Sequence, residues 1–305
     1  MEYYKRIEDY KGEEGTAVTL GKFDSLHRGH QKLIDNVREY ARIQKLKSVV
    51  FSFDMGKKSI LTNKERRELL GTKVNCLIQC PFTEDIKHMS AEDFIKDVLV
   101  DKLHAKYITV GSDFRFGYKA SGNVETLSEY KDKYGYNLVV IEKEKYKGRE
   151  ISSTYIRTLL EEGDVELANR LLGYNYSVKG IVKHGKALGR TLGFPTMNIE
   201  PEESKFTPKA GVYACKIVIG NKKYTGICNV GIKPTVTKIS KLLVEVFVFG
   251  YNKDTYGEKI SVEFCSFERP EVKFNSIDEL KEQVDKDIAY GRKFFEMQYK
   301  IKESE

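Results

Sequence analysis

Between residues 17 and 146 the chain alternates short apolar runs with segments of helical spacing, and no other feature of its 305 residues narrows the possible folds as far. Residues 17–23, 48–53, 74–79, 107–111 and 137–142 are strand-like. Residues 31–43 and 91–103 carry apolar side chains at helical spacing, the second with Ser90 placed to cap it. Strands joined by helical crossovers form a parallel sheet covered on both faces. Ligands of such sheets sit at the carboxyl ends of the strands, so the residues following Phe23 and Gly111 are the first candidates for a site.

The pattern changes after two short helices, one opening at Ser152-Ser153-Thr154 and one at Asp164 with Gly173 as its C-terminal cap. Residues 176–182, 211–219, 222–230, 242–249 and 259–267 are β-rich and separated by Gly, Asn and Lys turns. With no helix between most of them, they predict an antiparallel β-barrel or sandwich. A long helix follows from Ser276, where Ser276 and Glu279 suggest a capping box and Ile277, Leu280, Val284 and Ile288 form an apolar stripe. The expected domains are 1–174, α/β with a Rossmann-like parallel sheet, and 175–305, a β-barrel with a long C-terminal helix.

Charge limits the partners. The 52 basic residues exceed the 45 acidic ones by seven, but the signs are interleaved, which suits small phosphorylated ligands and gives no dense stripe for nucleic acid. No run of 18 apolar residues occurs and Met-Glu-Tyr-Tyr-Lys-Arg is no leader, so the expectation is a cytoplasmic protein without membrane association. The five cysteines are odd in number and scattered in apolar stretches, the pattern of buried free thiols in a reducing compartment. Cys76 and Cys80 have no His or Cys pair downstream at ligand spacing, so no structural metal is expected.

The segment Thr19-Leu20-Gly21-Lys22-Phe23-Asp24-Ser25-Leu26-His27-Arg28-Gly29-His30 lies where a first strand ends and a helix begins. Helix N-termini present free N–H groups and a positive dipole end, which together bind phosphate. Gly21, Phe23, Asp24 and Gly29 are therefore nucleotide-binding candidates, Gly29 because it lets the backbone approach closely. His27 and His30, three apart, can both serve one bound triphosphate. In adenylyl transfer charge builds on the oxygens of the α-phosphorus, and positioned donors stabilise it without a covalent step. A zinc pair would prefer spacing of four and need a third ligand, and core histidines would not require the glycine. H-x-G-H after a first strand resembles the nucleotidyltransferase superfamily, which includes class I aminoacyl-tRNA synthetases. Those also need a Lys-Met-Ser-Lys-Ser loop, and Lys87-His88-Met89-Ser90 lies too early to supply it.

Two further segments add polar groups. Asp113, in Val110-Gly111-Ser112-Asp113-Phe114-Arg115-Phe116-Gly117, falls at a strand end where it could orient a ligand hydroxyl or form a turn. Ile151-Ser152-Ser153-Thr154-Tyr155-Ile156-Arg157 brings three hydroxyls and an arginine to a helix start, suited to phosphates or to plain capping. With the H-x-G-H loop, these segments resemble the bacterial bifunctional FAD synthetases, which join a riboflavin kinase to an FMN adenylyltransferase. The resemblance runs over nearly the whole chain. It continues through Gly180 to Gly185, Gly189 to Asn198, Gly211-Val212-Tyr213, Asn229 to Thr235 and Tyr256-Gly257.

The resemblance implies ATP-dependent phosphorylation of riboflavin to FMN in the barrel and adenylylation of FMN to FAD in the α/β domain, with Mg²⁺. No Walker A ending is present, but Gly185, Gly189, Arg190 and Gly193 form a basic, flexible segment that corresponds to the flap over ATP. Thr196 and Asn198 stand at alternate positions after Pro195 and correspond to the metal ligands. Glu245 interrupts the apolar run 242–249 and corresponds to the base for the ribityl hydroxyl. Ser152, Ser153, Thr154 and Arg157 correspond to phosphate contacts, and Asp113, Phe114 and Tyr256 to flavin contacts.

Two stretches depart from the family pattern. Phe53-Asp54-Met55-Gly56-Lys57-Lys58 replaces Pro-His-Pro, and Phe247-Val248-Phe249-Gly250-Tyr251 replaces His-Leu-Leu-Asp-Phe. Adenylylation of another mononucleotide-like acceptor would leave the β-domain unexplained. A regulator that binds flavin or RNA without catalysis would not need the intact histidines, Thr196, Asn198 and Glu245.

Overall fold

In the computed structural model, which describes residues 1–184, 193–233 and 241–303, the chain forms two compact units, Met1–Ser153 and Thr154–Glu305. In the first, strands β1 (Glu2–Tyr4), β2 (Thr16–Gly21), β3 (Lys47–Asp54), β4 (Cys76–Pro81), β5 (Ala105–Gly111) and β6 (Asn137–Ile141) make one parallel sheet in the order β1-β4-β3-β2-β5-β6. After β2 the chain builds outward through β3 and β4, then returns to place β5 on the other side of β2. The crevice of such a sheet opens at this reversal, above the carboxyl end of β2. β1 adds a sixth strand to the five expected. Its three residues are too few for a periodic signal, and its pairing with residues 76–78 is non-local.

Helix α1 (Arg28–Gln44) begins three residues earlier than its periodicity suggests and buries Leu33, Ile34, Val37 and Ala41. A Thr62–Glu65 capping box starts α2 (Asn63–Leu70). After α3 (Glu84–His88), Ser90 accepts from the N–H of Asp93 at 3.0 Å and opens α4 (Ala91–Asp93). The expected α-helix does not continue. Phe94–Lys102 is wound as a π-helix, closed by a bond from the N–H of Leu103 to the carbonyl of Val98 at 3.0 Å. Asn123 caps α5 (Val124–Tyr134), which ends at Gly135. Beyond β6, β7 (Lys145–Tyr146) and β8 (Arg149–Glu150) pair as a two-stranded antiparallel ribbon. The core under the sheet is continuous through Val18, Leu20, Phe51, Ile78, Phe94 and Ile108, each worth about 1.5–3 kcal/mol on burial.

The second unit takes in α6 (Ser153–Glu162) from Thr154 onward and α7 (Val165–Leu172). The compact units thus divide ahead of the expected 174/175 boundary. Asn169 ties α7 to this unit: its amide donates to the carbonyl of Phe264 at 2.8 Å and accepts from the N–H of Tyr176 at 2.7 Å. Strands β9 (Ser177–Lys183), β10 (Met197–Ile199), β11 (Gly211–Ile219), β12 (Lys222–Lys233), β13 (Lys241–Val248) and β14 (Lys259–Arg269) close an antiparallel barrel in the order β10-β13-β12-β11-β14-β9. The three-residue β10, absent from the expected strands, closes the ring.

Helix α8 (Ile277–Glu303) lies on β11 and β12. Ser276 accepts from the N–H of Glu279 at 3.1 Å, while the Glu279 carboxylate reaches the N–H of Asn275 at 2.9 Å, one residue beyond the expected partner. Ile277 is 57% exposed, so the buried seam is not the whole expected stripe but runs on through Asp287, Gly291 and Phe295. Arg269 clasps Asp287 with both nitrogens of its fork, at 2.8 and 2.6 Å. All five cysteines are buried and free.

Candidate active sites

β2 delivers the chain to the crevice, and the loop that follows is strained. Phe23 and Leu26 adopt φ of 45° and 46°, a left-handed conformation costly for side-chain-bearing residues. Three bonds hold it. The buried Arg66 donates Nε to the carbonyl of Phe23 at 3.0 Å, Ser52 donates to that of Lys22 at 3.1 Å, and Gln31 donates to that of Leu26 at 2.8 Å. The Phe23 ring folds back over Gly21 and lies 5.1 Å from the ring of His30.

His27 is the N-cap of α1, and its Nδ1 accepts from the main-chain N–H of His30 at 3.2 Å. That bond places the ring proton of neutral His27 on Nε2. The two imidazoles stack, with centroids 3.7 Å apart and planes at 13°. A Cβ on Gly29 would lie 3.2 Å from Cε1 of His27, a tight contact that glycine avoids. Burial lowers the pKa of His27 from 6.5 to about 4, against weaker opposing effects of its own backbone bond and of Glu144 and Asp113. His30 is held well below 6.5, first by burial and then by His27 and Arg66. Both rings are therefore neutral near pH 7. Nδ1 of His30 is buried without a hydrogen-bond partner among the described residues.

Around this pair the candidates divide. Ser25 and Ser153, both in the first unit, share a hydrogen bond of 2.9 Å. Ser152 sits beside it, half-buried. Asp24 has a structural task, accepting from the N–H of Ile60 at 3.2 Å and, through its carbonyl, from Leu61 at 3.0 Å. Asp113 pairs with Lys143 at 2.7 Å, and Lys143 also meets Glu150 at 2.9 Å. Phe114 stacks on Phe116 at 5.5 Å, and Phe116 continues to Phe94 and Phe53, an aromatic layer at the ends of β3 and β5. The departing segment after Phe53 places Lys57 and Lys58 exposed at the end of β3. Thr154 and Arg157 fall in the second unit, where the Arg157 guanidinium lies 4.7 Å from the ring centroid of Phe206.

On the barrel, Asn198 of β10 is in register with Glu245 of β13, and Glu245 with Asn229 of β12. Register partners in antiparallel strands point to the same face, so the three form a polar row. Val244 and Val246, on either side of Glu245, point to the barrel core, fully buried. Asn198 is 7% exposed and its Oδ1 has no hydrogen-bond partner among the described residues. Thr196, two residues back, is half-buried. Asn229 donates to Glu271 at 3.2 Å. Tyr256 stacks on His184 at 3.7 Å, and the N–H of Gly257 joins that turn to the carbonyl of Val182 at 3.0 Å. Gly193 has φ of +90°. Gly185, Gly189 and Arg190, with the last part of the Asn229–Thr235 motif, lie outside the described residues.

Three residues of these surroundings were not foreseen. Arg66 is one of two adjacent arginines, and only the helix phase set by the Thr62–Glu65 cap hints which one turns inward. Glu144 stands in a run of alternating Glu and Lys that resembles solvated surface, yet its side chain is 7% exposed. Asn229 appears in a matching motif, but its place opposite Glu245 depends on register.

A FAD synthetase family model matches residues 9–155 and a riboflavin kinase model matches residues 172–295. The chain is similar to proteins named bifunctional riboflavin kinase/FMN adenylyltransferase. That of Buchnera aphidicola subsp. Schizaphis graminum is 39% identical, covering 92% of this chain and 95% of the relative. Those of Bacillus subtilis (37% identical, 92% of each chain) and Escherichia coli K12 (35%, 93% and 94%) are similar over the same extent. A crystal structure titled as a macrolide-efflux protein from Streptococcus pneumoniae superposes with a TM-score of 0.87 at 30% identity, over 95% of this chain and 98% of that one. Among the described residues of this chain, no helix is long and apolar enough to cross a membrane. The two family matches follow one another along the chain as the parallel sheet and the barrel do, and the chain belongs to the bifunctional riboflavin kinase/FMN adenylyltransferase family.

Proposed function

We propose that the barrel phosphorylates riboflavin with ATP to give FMN and ADP, and that the parallel-sheet unit then transfers the adenylyl group of a second ATP to FMN, giving FAD and pyrophosphate. The observation that carries this reading is the stacked, neutral His27–His30 pair at the reversal point of the sheet, in a chain that also carries the polar row Asn198–Glu245–Asn229 on a barrel.

In the second reaction a phosphate oxygen of FMN attacks the α-phosphorus of ATP and the bond to pyrophosphate breaks. A neutral imidazole with its proton on Nε2 donates a hydrogen bond to the non-bridging oxygens as their charge grows. It does so without adding a full charge that would hold the leaving pyrophosphate. The first N–H groups of α1 act in the same direction. The aromatic layer of Phe53, Phe114 and Phe116 offers flat apolar surface to an isoalloxazine ring.

In the first reaction Glu245 accepts the proton of the ribityl 5′-hydroxyl while its oxygen attacks the γ-phosphorus. Thr196 and Asn198 would hold Mg²⁺, which when bound neutralises charge on the ATP phosphates. The residues fit a hard cation, because the buried Oδ1 of Asn198 is an acceptor with no partner among the described residues.

The two chemistries separate by mutation. His27→Ala/His30→Ala should abolish FAD formation while FMN accumulates from riboflavin. Glu245→Gln should block FMN formation yet spare FAD formation from supplied FMN. Chromatography of the flavins reads both, and equal loss of both activities in either folded variant would sink the two-site assignment.

A further inference from the structure

Glu144 follows β6 and belongs to none of the motifs. Its side chain is 7% exposed, and it meets both Arg28 and Lys32, the latter at 3.2 Å. Residues four apart share one face of a helix, so a single buried anion gathers two cations on the first turns of α1. The place is the site itself. A Cβ on Gly29 would lie 4.0 Å from Cβ of Glu144, and the charge of Glu144 is among those that act on His27.

The exposures are unequal. The side chains of Arg28 and Lys32 are 43% and 56% exposed, so the cations keep their contact with solvent while the carboxylate behind them is sunk. A buried carboxylate is costly to desolvate, and exposed ion pairs contribute little stability. Two cations against one anion leave an excess positive charge at a helix end that is positive already.

We propose that Glu144 is a positioning residue for adenylylation: it directs Arg28 and Lys32 and halves their net charge, so that the triphosphate is held while pyrophosphate can leave. This rests on the assignment of the His27–His30 loop to the adenylylation site. Without Glu144 the same end of α1 carries two uncompensated cations and grips pyrophosphate more tightly.

Glu144→Gln keeps the size of the side chain and removes its charge. Calorimetric titration of the full chain with inorganic pyrophosphate should then show about fivefold tighter binding, the effect of one partly buried charge near a bound anion. The salt dependence of that binding should steepen. In steady state, kcat for FAD formation and KM for ATP should fall together as product release slows. A role as mere glue predicts the opposite sign, a higher KM and weaker pyrophosphate binding, and that result overturns the proposal. Glu144→Asp, which retains the charge, should bind pyrophosphate much as the unaltered chain does.

Circular dichroism and the thermal unfolding transition of the same preparation, compared with the unaltered chain, report whether the parallel-sheet unit that carries Glu144 is folded. Should Glu144→Gln fail that control, Lys32→Met must weaken pyrophosphate binding by about fivefold, and no weakening overturns the idea. FAD formation that survives His27→Ala would instead remove the site assignment, whatever Glu144→Gln does to pyrophosphate.

Discussion

The Nδ1 of His27 holds the main-chain N–H of His30 at 3.2 Å while the two rings stack at 3.7 Å. One residue thus caps the helix that presents the other, and the capping bond also sets the tautomer that leaves Nε2–H free to donate. Burial keeps the pair neutral. In the proposed function this loop acts by hydrogen-bond donation, and the consequences can be measured.

The pH dependence follows from the low pKa values. In the unfolded chain both histidines protonate near 6.5, whereas folded His27 does so at about 4. Above 6.5 neither state is protonated and the contribution is constant. Between 6.5 and 4 the unfolded state binds protons that the folded state refuses, so stability falls as pH falls through that window. For His27 the loss reaches roughly 3 kcal/mol. Urea unfolding at pH 7.5 and pH 5 should show a larger loss in the unaltered chain than in His27→Asn, which keeps a capping acceptor but cannot titrate. Equal losses would contradict the lowered pKa.

Gly29→Ala places a Cβ 3.2 Å from Cε1 and 3.3 Å from Nδ1 of His27. The ring must give way, and the cap and the stack move with it. FAD formation should drop by about tenfold, less than the roughly hundredfold loss for a misplacement of about 1 Å, because the ring need shift only slightly. FMN formation from riboflavin should persist, and an unchanged rate of FAD formation would show that the stacked geometry is dispensable.

Asn198 carries a buried acceptor without a hydrogen-bond partner among the described residues. Such an atom is a burden on folding unless a ligand uses it. Asn198→Leu should abolish riboflavin phosphorylation while the melting temperature stays level or rises. A loss of several degrees in Tm, with kinase activity retained, would show the side chain to be structural.

At Gly291 in α8, helix propensity and packing pull in opposite directions. Alanine is favoured over glycine inside a helix by about 1 kcal/mol. Here its Cβ would lie 2.6 Å from Cγ2 of Ile227 and 3.0 Å from the Phe249 ring. Overpacking of this kind costs about 1–3 kcal/mol, so Gly291→Ala should lower stability. Equilibrium unfolding that shows a gain would mean that α8 can lift from the barrel at little expense.

What the sequence by itself determined is local. Strand and helix periods are properties of neighbouring side chains, and so the parallel sheet, the β-rich second half and the long C-terminal helix were legible in it. The spacing of His27, Gly29 and His30 marked a candidate site for the same reason, because the three share one helical turn. Tertiary structure alone decided the rest. Glu2–Tyr4 becomes a strand only because residues 76–78 accept it, and Met197–Ile199 closes the barrel only between β13 and β9. Arg66 beneath Phe23, Glu144 behind Arg28 and Asn229 opposite Glu245 each join residues far apart in sequence. No period relates such partners. Register, burial and the direction of a buried charge are set by the packed chain as a whole, and these decide which of many similar polar residues line the candidate sites.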